Sequence, residues 1–89
     1  MMQIKHEPLP APGEDSLLPA PPIAHMDPLK ILKCPENDTV GVLYKHKTTE
    51  LYMYLVLHRG RDVGMGGSKY LETTQESMLK RMNSILPDY

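Results

Sequence analysis

The amino-acid sequence predicts an α+β fold: a small antiparallel sheet of three to four strands with one C-terminal amphipathic helix, preceded by a disordered Pro-rich N-terminal arm. Residues 51–59 are the longest apolar run, which is typical of a central strand. Five apolar residues near the C-terminus recur at the spacing of one helix face: Met78, Leu79, Met82, Ile85 and Leu86. Seven of the nine prolines fall within residues 1–28, where fixed φ angles and missing N–H donors disfavour helices and central strands.

Composition divides the chain into a disordered acidic arm over residues 1–28 and a small α+β module over residues 29–89. The chain has 89 residues, which allows one small domain, and it contains no Phe or Trp. Seven Met and five Tyr must therefore supply the large core side chains, and Met packs adaptably but specifies geometry weakly. We expect such a core to be stabilised by a partner or by self-association as a homodimer.

Bulk properties argue against several classes of function. The net charge of −1 gives no global field that attracts nucleic acid or a membrane surface. The lone cysteine, Cys34, excludes an internal disulfide and a cysteine-rich zinc site. There is no run of about 18 apolar residues and no pattern of a secretory signal, so we predict an intracellular chain without a membrane span.

Strand and turn patterns order the module. Residues 29–33 predict a short edge strand whose lysines discourage edge-to-edge pairing, and residues 34–38 predict a turn. Residues 40–46 are rich in β-branched and aromatic side chains and predict a strand, joined to the central strand by a polar hairpin connection. Residues 59–69 contain four glycines and predict a flexible loop.

The helix is the last predicted element. Thr73 and Glu76 stand at the spacing of a capping box, in which each side chain satisfies a backbone donor of the other. This pattern predicts that the helix begins there, after a further short strand over residues 68–72. Pro87 is expected to end it.

The central strand presents two apolar faces. Alternation places Leu51, Met53, Leu55 and Leu57 on one face and four other residues on the opposite face: Tyr52, Tyr54, Val56 and His58. Such a strand is either buried on both faces or meets a partner on one of them. We expect the helix to cover the leucine face. The tyrosine face then has no predicted internal cover, and we predict that it is the partner-binding face.

The arm contains a sequence that resembles a SUMO acceptor site. Ile4-Lys5-His6-Glu7 matches the pattern aliphatic-Lys-x-Glu, and with Pro8 it is similar to stretches common in transcription regulators. The conjugating enzyme holds the aliphatic residue in an apolar groove, meets the Glu carboxylate with basic groups and receives the lysine amine at its thioester. An extended, accessible segment suits this chemistry. We therefore predict Lys5 as a modified residue.

These features together predict a non-enzymatic interaction protein that regulates transcription. Its expected partners are the SUMO-conjugation machinery and a protein that the sequence does not identify. The expected location is the nucleus, with the cytoplasm as the alternative. Residues 14–18 support this prediction, because they combine acidic residues with leucines as activation segments do.

No group of residues predicts catalysis or a cofactor. The four histidines, His6, His25, His46 and His58, do not fall at metal-ligand spacing. No serine stands in an elbow-like motif, and Cys34 precedes a proline in a predicted turn. We therefore predict that the protein is not an enzyme and that it holds no metal or cofactor.

Two alternatives stay open. The first is a small module that binds single-stranded nucleic acid, with Arg59, Arg61 and Lys69 contacting phosphates and Tyr52 and Tyr54 stacking on bases. The order of elements is loosely similar to the small single-stranded-DNA-binding coactivator fold, which is an analogy of topology alone. The second alternative is that the chain is a fragment or short isoform of a larger regulatory protein.

Overall fold

The computed structural model describes residues 4–7 and 23–85 and places them in one antiparallel sheet and one long helix. The five strands follow in chain order: β1 (Lys5–Glu7), β2 (Met26–Cys34), β3 (Thr39–His46), β4 (Tyr52–His58) and β5 (Arg61–Ser68). A short 3-10 helix (Pro35–Asn37) joins β2 to β3, and the α-helix α1 (Leu71–Ser84) closes the described chain. The predicted α+β class with one C-terminal helix is confirmed.

The strands lie in the order β1-β2-β3-β4-β5, so each strand pairs with its neighbours in sequence. The apolar run predicted as the central strand forms β4, an inner strand that pairs with β3 and β5, whereas the middle strand of the five is β3. The predicted number of three to four strands is wrong, because the described residues form five. Both edge strands, β1 and β5, come from segments for which the sequence predicts no strand.

Strand β1 lies in the proline-rich arm. It pairs with β2 so that Lys5 lies opposite Lys33 and His6 opposite Leu32. Strand β2 therefore lies inside the sheet and is not the predicted edge strand. It begins at Met26 and includes Pro28, which lies beyond the residues that β1 pairs. The pairing of β2 with β3 shifts just after Pro28, as expected for a residue that has no N–H to donate. The predicted disorder of residues 1–3 and 8–22, with the acidic segment 14–18, lies outside the described residues.

Strand β5 occupies most of the predicted flexible glycine loop. Arg59 and Gly60 form the β4–β5 turn with φ angles of 54° and 79°. Positive φ at both positions is the requirement of the tight turn that matches the twist of a two-stranded hairpin. The three glycines that follow are strand residues of β5, and atoms of Arg81, Tyr54 or Tyr52 occupy the space that a side chain at each would need.

Helix α1 begins at Leu71, so the predicted capping box at Thr73 and Glu76 is wrong, and so is a separate strand over residues 68–72. Tyr70 precedes the helix and makes no side-chain cap. The first turn is closed by Thr74, whose Oγ1 donates to the Tyr70 carbonyl at 2.8 Å and lies 2.8 Å from Ser68 Oγ. The predicted stop at Pro87 and the stripe residue Leu86 lie outside the described residues.

The core beneath α1 contains buried residues from the helix and the inner strands: Leu32, Cys34, Leu43, Val56, Met78 and Met82. A second cluster lies on the opposite face of the sheet and consists of strand residues: Met26, Ile31, Val42, Tyr44 and Leu55. The helix contacts β3, β4 and β5. It therefore covers the face of β4 that carries Val56, and the prediction that it covers the leucine face is wrong.

Glycines explain the choice of face. Gly41 lies opposite Val56 in the β3–β4 pair, and a Cβ on Gly41 would stand 2.7 Å from Met82 Sδ. Gly64 lies opposite Val56 in the β4–β5 pair, and a Cβ there would stand 2.7 Å from Arg81 Cγ. Because two glycines flank Val56, the helix approaches this face closely. The leucine face offers no such space at these positions, since Val42 lies opposite Leu55.

The C-terminal end of α1 is held by the 3-10 helix. Asn37 is fully buried, and its Nδ2 donates to the carbonyls of Met82 and Ile85, each at 3.0 Å. Carbonyls in the last turn of a helix have no partner within the helix, so a side-chain donor here satisfies groups that burial would otherwise leave unpaired. The predicted turn at residues 34–38 is therefore confirmed and also fixes the helix.

Candidate functional site

Lys5 lies on an edge strand with its side chain exposed. The exposed Lys33 stands directly opposite on β2. Ile4, the aliphatic residue of the acceptor pattern, is half-buried and packs against the cluster beneath α1. Because alternate residues of an extended chain face opposite sides of the sheet, Ile4 is directed to the helix side and Lys5 to the other side. The structure thus places the two residues of the pattern in different environments.

The predicted partner-binding face of β4 lies largely inside the protein. Val56 is fully buried beneath α1. The ring of Tyr54 lies over Gly66, where a Cβ would stand 2.8 Å from the ring carbon Cε2. The premise that this face has no internal cover is wrong, because the helix packs on it. Partner binding by Tyr52, Tyr54, Val56 and His58 stays a prediction, and all of these side chains except Val56 are half-buried.

His58 ends β4 between Thr39 and Arg61. Its Nε2 is buried and has no hydrogen-bond partner within the described residues. A shallow groove of about 430 Å³ lies beside it and is lined by His58, Arg59, Arg61 and Val63. The backbone carbonyl of Val63 accepts hydrogen bonds from the Arg81 guanidinium, so one basic side chain of the helix is tied to β5 beside this groove.

The basic residues of the nucleic-acid alternative do not form one site. Arg59 and Arg61 lie at the β4–β5 turn, whereas Lys69 follows the last residue of β5. The length of β5 separates them by about 25 Å at the rise of an extended chain. Lys69 instead shares its end of the sheet with Lys45, since Lys45 lies opposite Tyr52, and Tyr52 lies opposite Ser68.

A second groove lies at the Lys69 end of the sheet. It has a volume of about 450 Å³, and we call it the tyrosine groove after its lining residues: Tyr52, Lys69, Tyr70, Leu71, Glu72 and Thr73. Tyr70 is 70% exposed and Leu71 is 41% exposed. Sequence reasoning assigned Tyr70 to no site and grouped Lys69 with the arginines at the other end of the sheet. No local signal could have placed Lys69 and Tyr70 at this end, because residues 61–68 become a strand only through pairing with β4.

Tyr44 carries the clearest electrostatic perturbation among the described groups. It lies in the second cluster, and its side chain is 1% exposed. Burial disfavours the charged phenolate and raises the pKa of Tyr44 to about 12. The neutral phenol is therefore the form that the folded protein keeps well into the alkaline range.

Metal and membrane sites were predicted to be absent. Over residues 4–7 and 23–85, no three His, Cys, Asp or Glu side chains gather as a metal site would require. Cys34 is a free, fully buried thiol. In the same part of the chain, α1 is too short and too polar to cross a membrane, and no other helix could do so.

No family model, curated protein or solved structure matches this chain. The fold places it in the α+β class, and its functional interpretation depends on the residues and surfaces described above.

Proposed function

We propose that this chain is a non-enzymatic nuclear interaction protein that regulates transcription and that is conjugated to SUMO at Lys5. The observation that carries the proposal is the sequence Ile4-Lys5-His6-Glu7 in an extended segment at the edge of the sheet, with the Lys5 side chain exposed. The proline after Glu7 adds to the similarity with acceptor stretches of transcription regulators.

The chemistry requires only an accessible amine and the enzyme's thioester. The Lys5 nitrogen attacks the thioester carbonyl carbon and forms an isopeptide bond, while the carbon–sulfur bond breaks and the enzyme's thiol leaves. The amine loses its proton, so the lysine side chain becomes a neutral amide. ATP consumed earlier by the activating enzyme supplies the energy stored in the thioester. The protein contributes the acceptor and its flanking recognition residues.

A reconstituted conjugation reaction tests the proposal. The purified chain is incubated with activating enzyme, conjugating enzyme, SUMO and ATP, and the modified lysine is mapped by mass spectrometry. Lys5→Arg is expected to remove the conjugate. Lys33→Arg is the matched control, because Lys33 is an exposed lysine opposite Lys5 that lies outside the pattern. Equal conjugate levels in wild type and Lys5→Arg would overturn the proposal.

The nuclear and regulatory parts need their own readout in cells. A tagged chain is expected to concentrate in the nucleus and, when tethered beside a reporter promoter, to change transcription by an amount that differs between wild type and Lys5→Arg. A chain that stays in the cytoplasm, or a reporter that does not respond to either form, would contradict these parts.

A second candidate function is binding of single-stranded nucleic acid at the tyrosine groove. The observation that favours it is the meeting of Tyr52 and the exposed Tyr70 with Lys69, and of Lys45 opposite Tyr52. Aromatic planes beside cations suit stacked bases and their phosphates. Glu72 lines the same groove and would repel a phosphate.

Fluorescence anisotropy with a labelled single-stranded oligonucleotide tests this candidate. Tyr70→Ala is expected to weaken binding by about 1–3 kcal/mol, the usual contribution of one stacked base. Combined Lys45→Ala and Lys69→Ala should make the salt dependence shallower by about 0.7 per lost phosphate contact. Combined Arg59→Ala and Arg61→Ala is the matched control at the other end of the sheet. Binding that depends on the arginines alone, or that is absent at low salt, would remove the candidate.

A further inference from the structure

The acceptor pattern and the folded sheet make conflicting demands on Ile4. In the sheet, Ile4 packs against the cluster that contains Leu32, Cys34 and Met82. A conjugating enzyme needs the same side chain in its own apolar groove while Lys5 enters the catalytic cleft. Since Ile4 faces the helix side and Lys5 faces the other side, one enzyme surface cannot engage both while β1 is paired.

We propose that pairing of β1 with β2 withholds Lys5 from conjugation, and that Lys33 sets how often β1 is released. This inference rests on the proposed conjugation of Lys5 and adds its regulation. Conjugation then proceeds from the released form, and its rate follows the fraction of molecules in which β1 is free.

Strand β1 is suited to reversible release. It has three residues, and among the described elements it pairs with β2 alone. Its central residue, His6, is exposed. The half-buried Ile4 is the one described side chain at this edge that is packed against the core beneath α1. Short edge segments with few apolar contacts open with a small free-energy cost compared with global unfolding.

Lys33 weakens the pairing directly. It lies opposite Lys5, and both side chains are exposed on the same face of the sheet. Like charges directly opposite each other on neighbouring strands destabilise the pair. An acidic residue at position 33 would replace this repulsion with attraction and hold β1 in the sheet. Position 33 lies outside the acceptor pattern, so a substitution there leaves the enzyme's recognition residues unchanged.

The test compares three full-length chains and one reference peptide. Lys33→Glu is the variant that should hold β1. Lys80→Glu is the matched control, because it makes the same change of net charge at an exposed lysine of α1 that belongs to neither proposed site. The reference peptide carries the sequence of residues 1–10, where the acceptor pattern has no strand to pair with. Initial conjugation rates and amide hydrogen exchange at Lys5 are measured for each chain, because the register directs the Lys5 N–H towards Lys33 on β2.

We expect Lys33→Glu to slow both conjugation and Lys5 amide exchange roughly two- to tenfold, the range for a cross-strand pair that turns from repulsive to attractive. Lys80→Glu should leave both rates near the wild-type values, and the peptide should be conjugated faster than the wild-type chain. Unchanged conjugation in Lys33→Glu would overturn the inference, whether or not exchange is slowed. A peptide that is itself not conjugated would instead overturn the proposed function.

Discussion

The two faces of the sheet are almost equally apolar, yet they are built differently. The face beneath α1 combines Val56 and Leu43 with glycines at positions 41 and 64, and the helix methionines fill the space above them. The opposite face carries Val42, Tyr44 and Leu55 in a cluster of strand residues. Hydrophobicity therefore does not decide which face receives the helix. The glycines decide it: Gly41 on β3 and Gly64 on β5 both lie opposite Val56 on β4. Because they have no side chains, they leave room for the long side chains of the helix to pack close to the sheet.

The largest expected effect on the free energy of unfolding is at a buried methionine of the helix, compared with an exposed methionine on the edge strand β5. Met82 is fully buried, whereas Met65 is 56% exposed on β5. Met82→Ala should lower the free energy of unfolding by about 2–5 kcal/mol, since it leaves a cavity in the core. Met65→Ala should change it by less than about 0.5 kcal/mol. Urea unfolding of the two variants measures the difference, and equal losses would break the distinction between these positions.

A smaller effect is expected at the glycine beneath Met82. Gly41→Ala would bring a methyl group to within 2.7 Å of Met82 Sδ, so the methionine must move. We expect a loss of about 1–3 kcal/mol from this overpacking. The Met82→Ala background removes the nearest contact and leaves Met78 Sδ at 3.0 Å, so the cost of Gly41→Ala should fall in part. A double-mutant cycle in urea measures the coupling. Strictly additive losses would show that the two residues do not meet.

The attachment of the helix end should contribute less again. Asn37→Ala removes two hydrogen bonds to the last turn of α1, and we expect a loss of about 1–2 kcal/mol. Asn83 is the matched control, because it is exposed and its Nδ2 donates within the helix to Leu79. Thermal unfolding of both variants measures the loss of stability, and the loss should be clearly smaller for Asn83→Ala than for Asn37→Ala. A larger loss at Asn83 than at Asn37 would contradict the role of the 3-10 helix.

The last effect depends on pH and concerns Tyr44, on the face of the sheet opposite α1. The raised pKa of Tyr44 means that its phenol is neutral in both folded and unfolded chains below pH 10 and ionises first in the unfolded chain above it. Stability is therefore retained up to about pH 10 and falls as the pH rises towards about 12. Tyr44→Phe should remove this part of the alkaline loss, as measured by urea unfolding at increasing pH. Parallel curves for wild type and Tyr44→Phe would show that Tyr44 is not buried as described.

Sequence reasoning finds the strongly patterned elements and misses those that depend on partners far away in the chain. The runs that became β3 and β4 and the stripe of Met78 and Met82 are local patterns, and the structure confirms them. Strand β5 is rich in glycine and has no strand propensity of its own. It forms because β4 pairs with it and because Tyr54 and Arg81 occupy the space above its glycines. Strand β1 likewise depends on pairing with β2 and on a single apolar contact from Ile4.

The errors about candidate sites follow from the same cause. The prediction of a loop over residues 59–69 placed Lys69 close to Arg59 and Arg61. In the structure, strand β5 separates them and places Lys69 at the other end of the sheet. The face of β4 that the helix covers was predicted without the strand register. The register pairs Gly41 and Gly64 with Val56, and this pairing indicates the helix side. The acceptor pattern at Lys5 could be read from the sequence, but the burial of Ile4 could not, because it requires the fold of the distant helix.

Helix α1 covers the Val56 face of β4, and this determines which surface a partner can reach. Methyl NOE spectroscopy tests the position of the helix most directly. Leu55 and Val56 are neighbours in sequence that face opposite sides of the sheet. We expect cross-peaks from the Met78 and Met82 methyl groups to the Val56 methyls and none of comparable strength to the Leu55 methyls. Cross-peaks to Leu55 in place of Val56 would put the helix on the other face and return Tyr54 and Val56 to the surface.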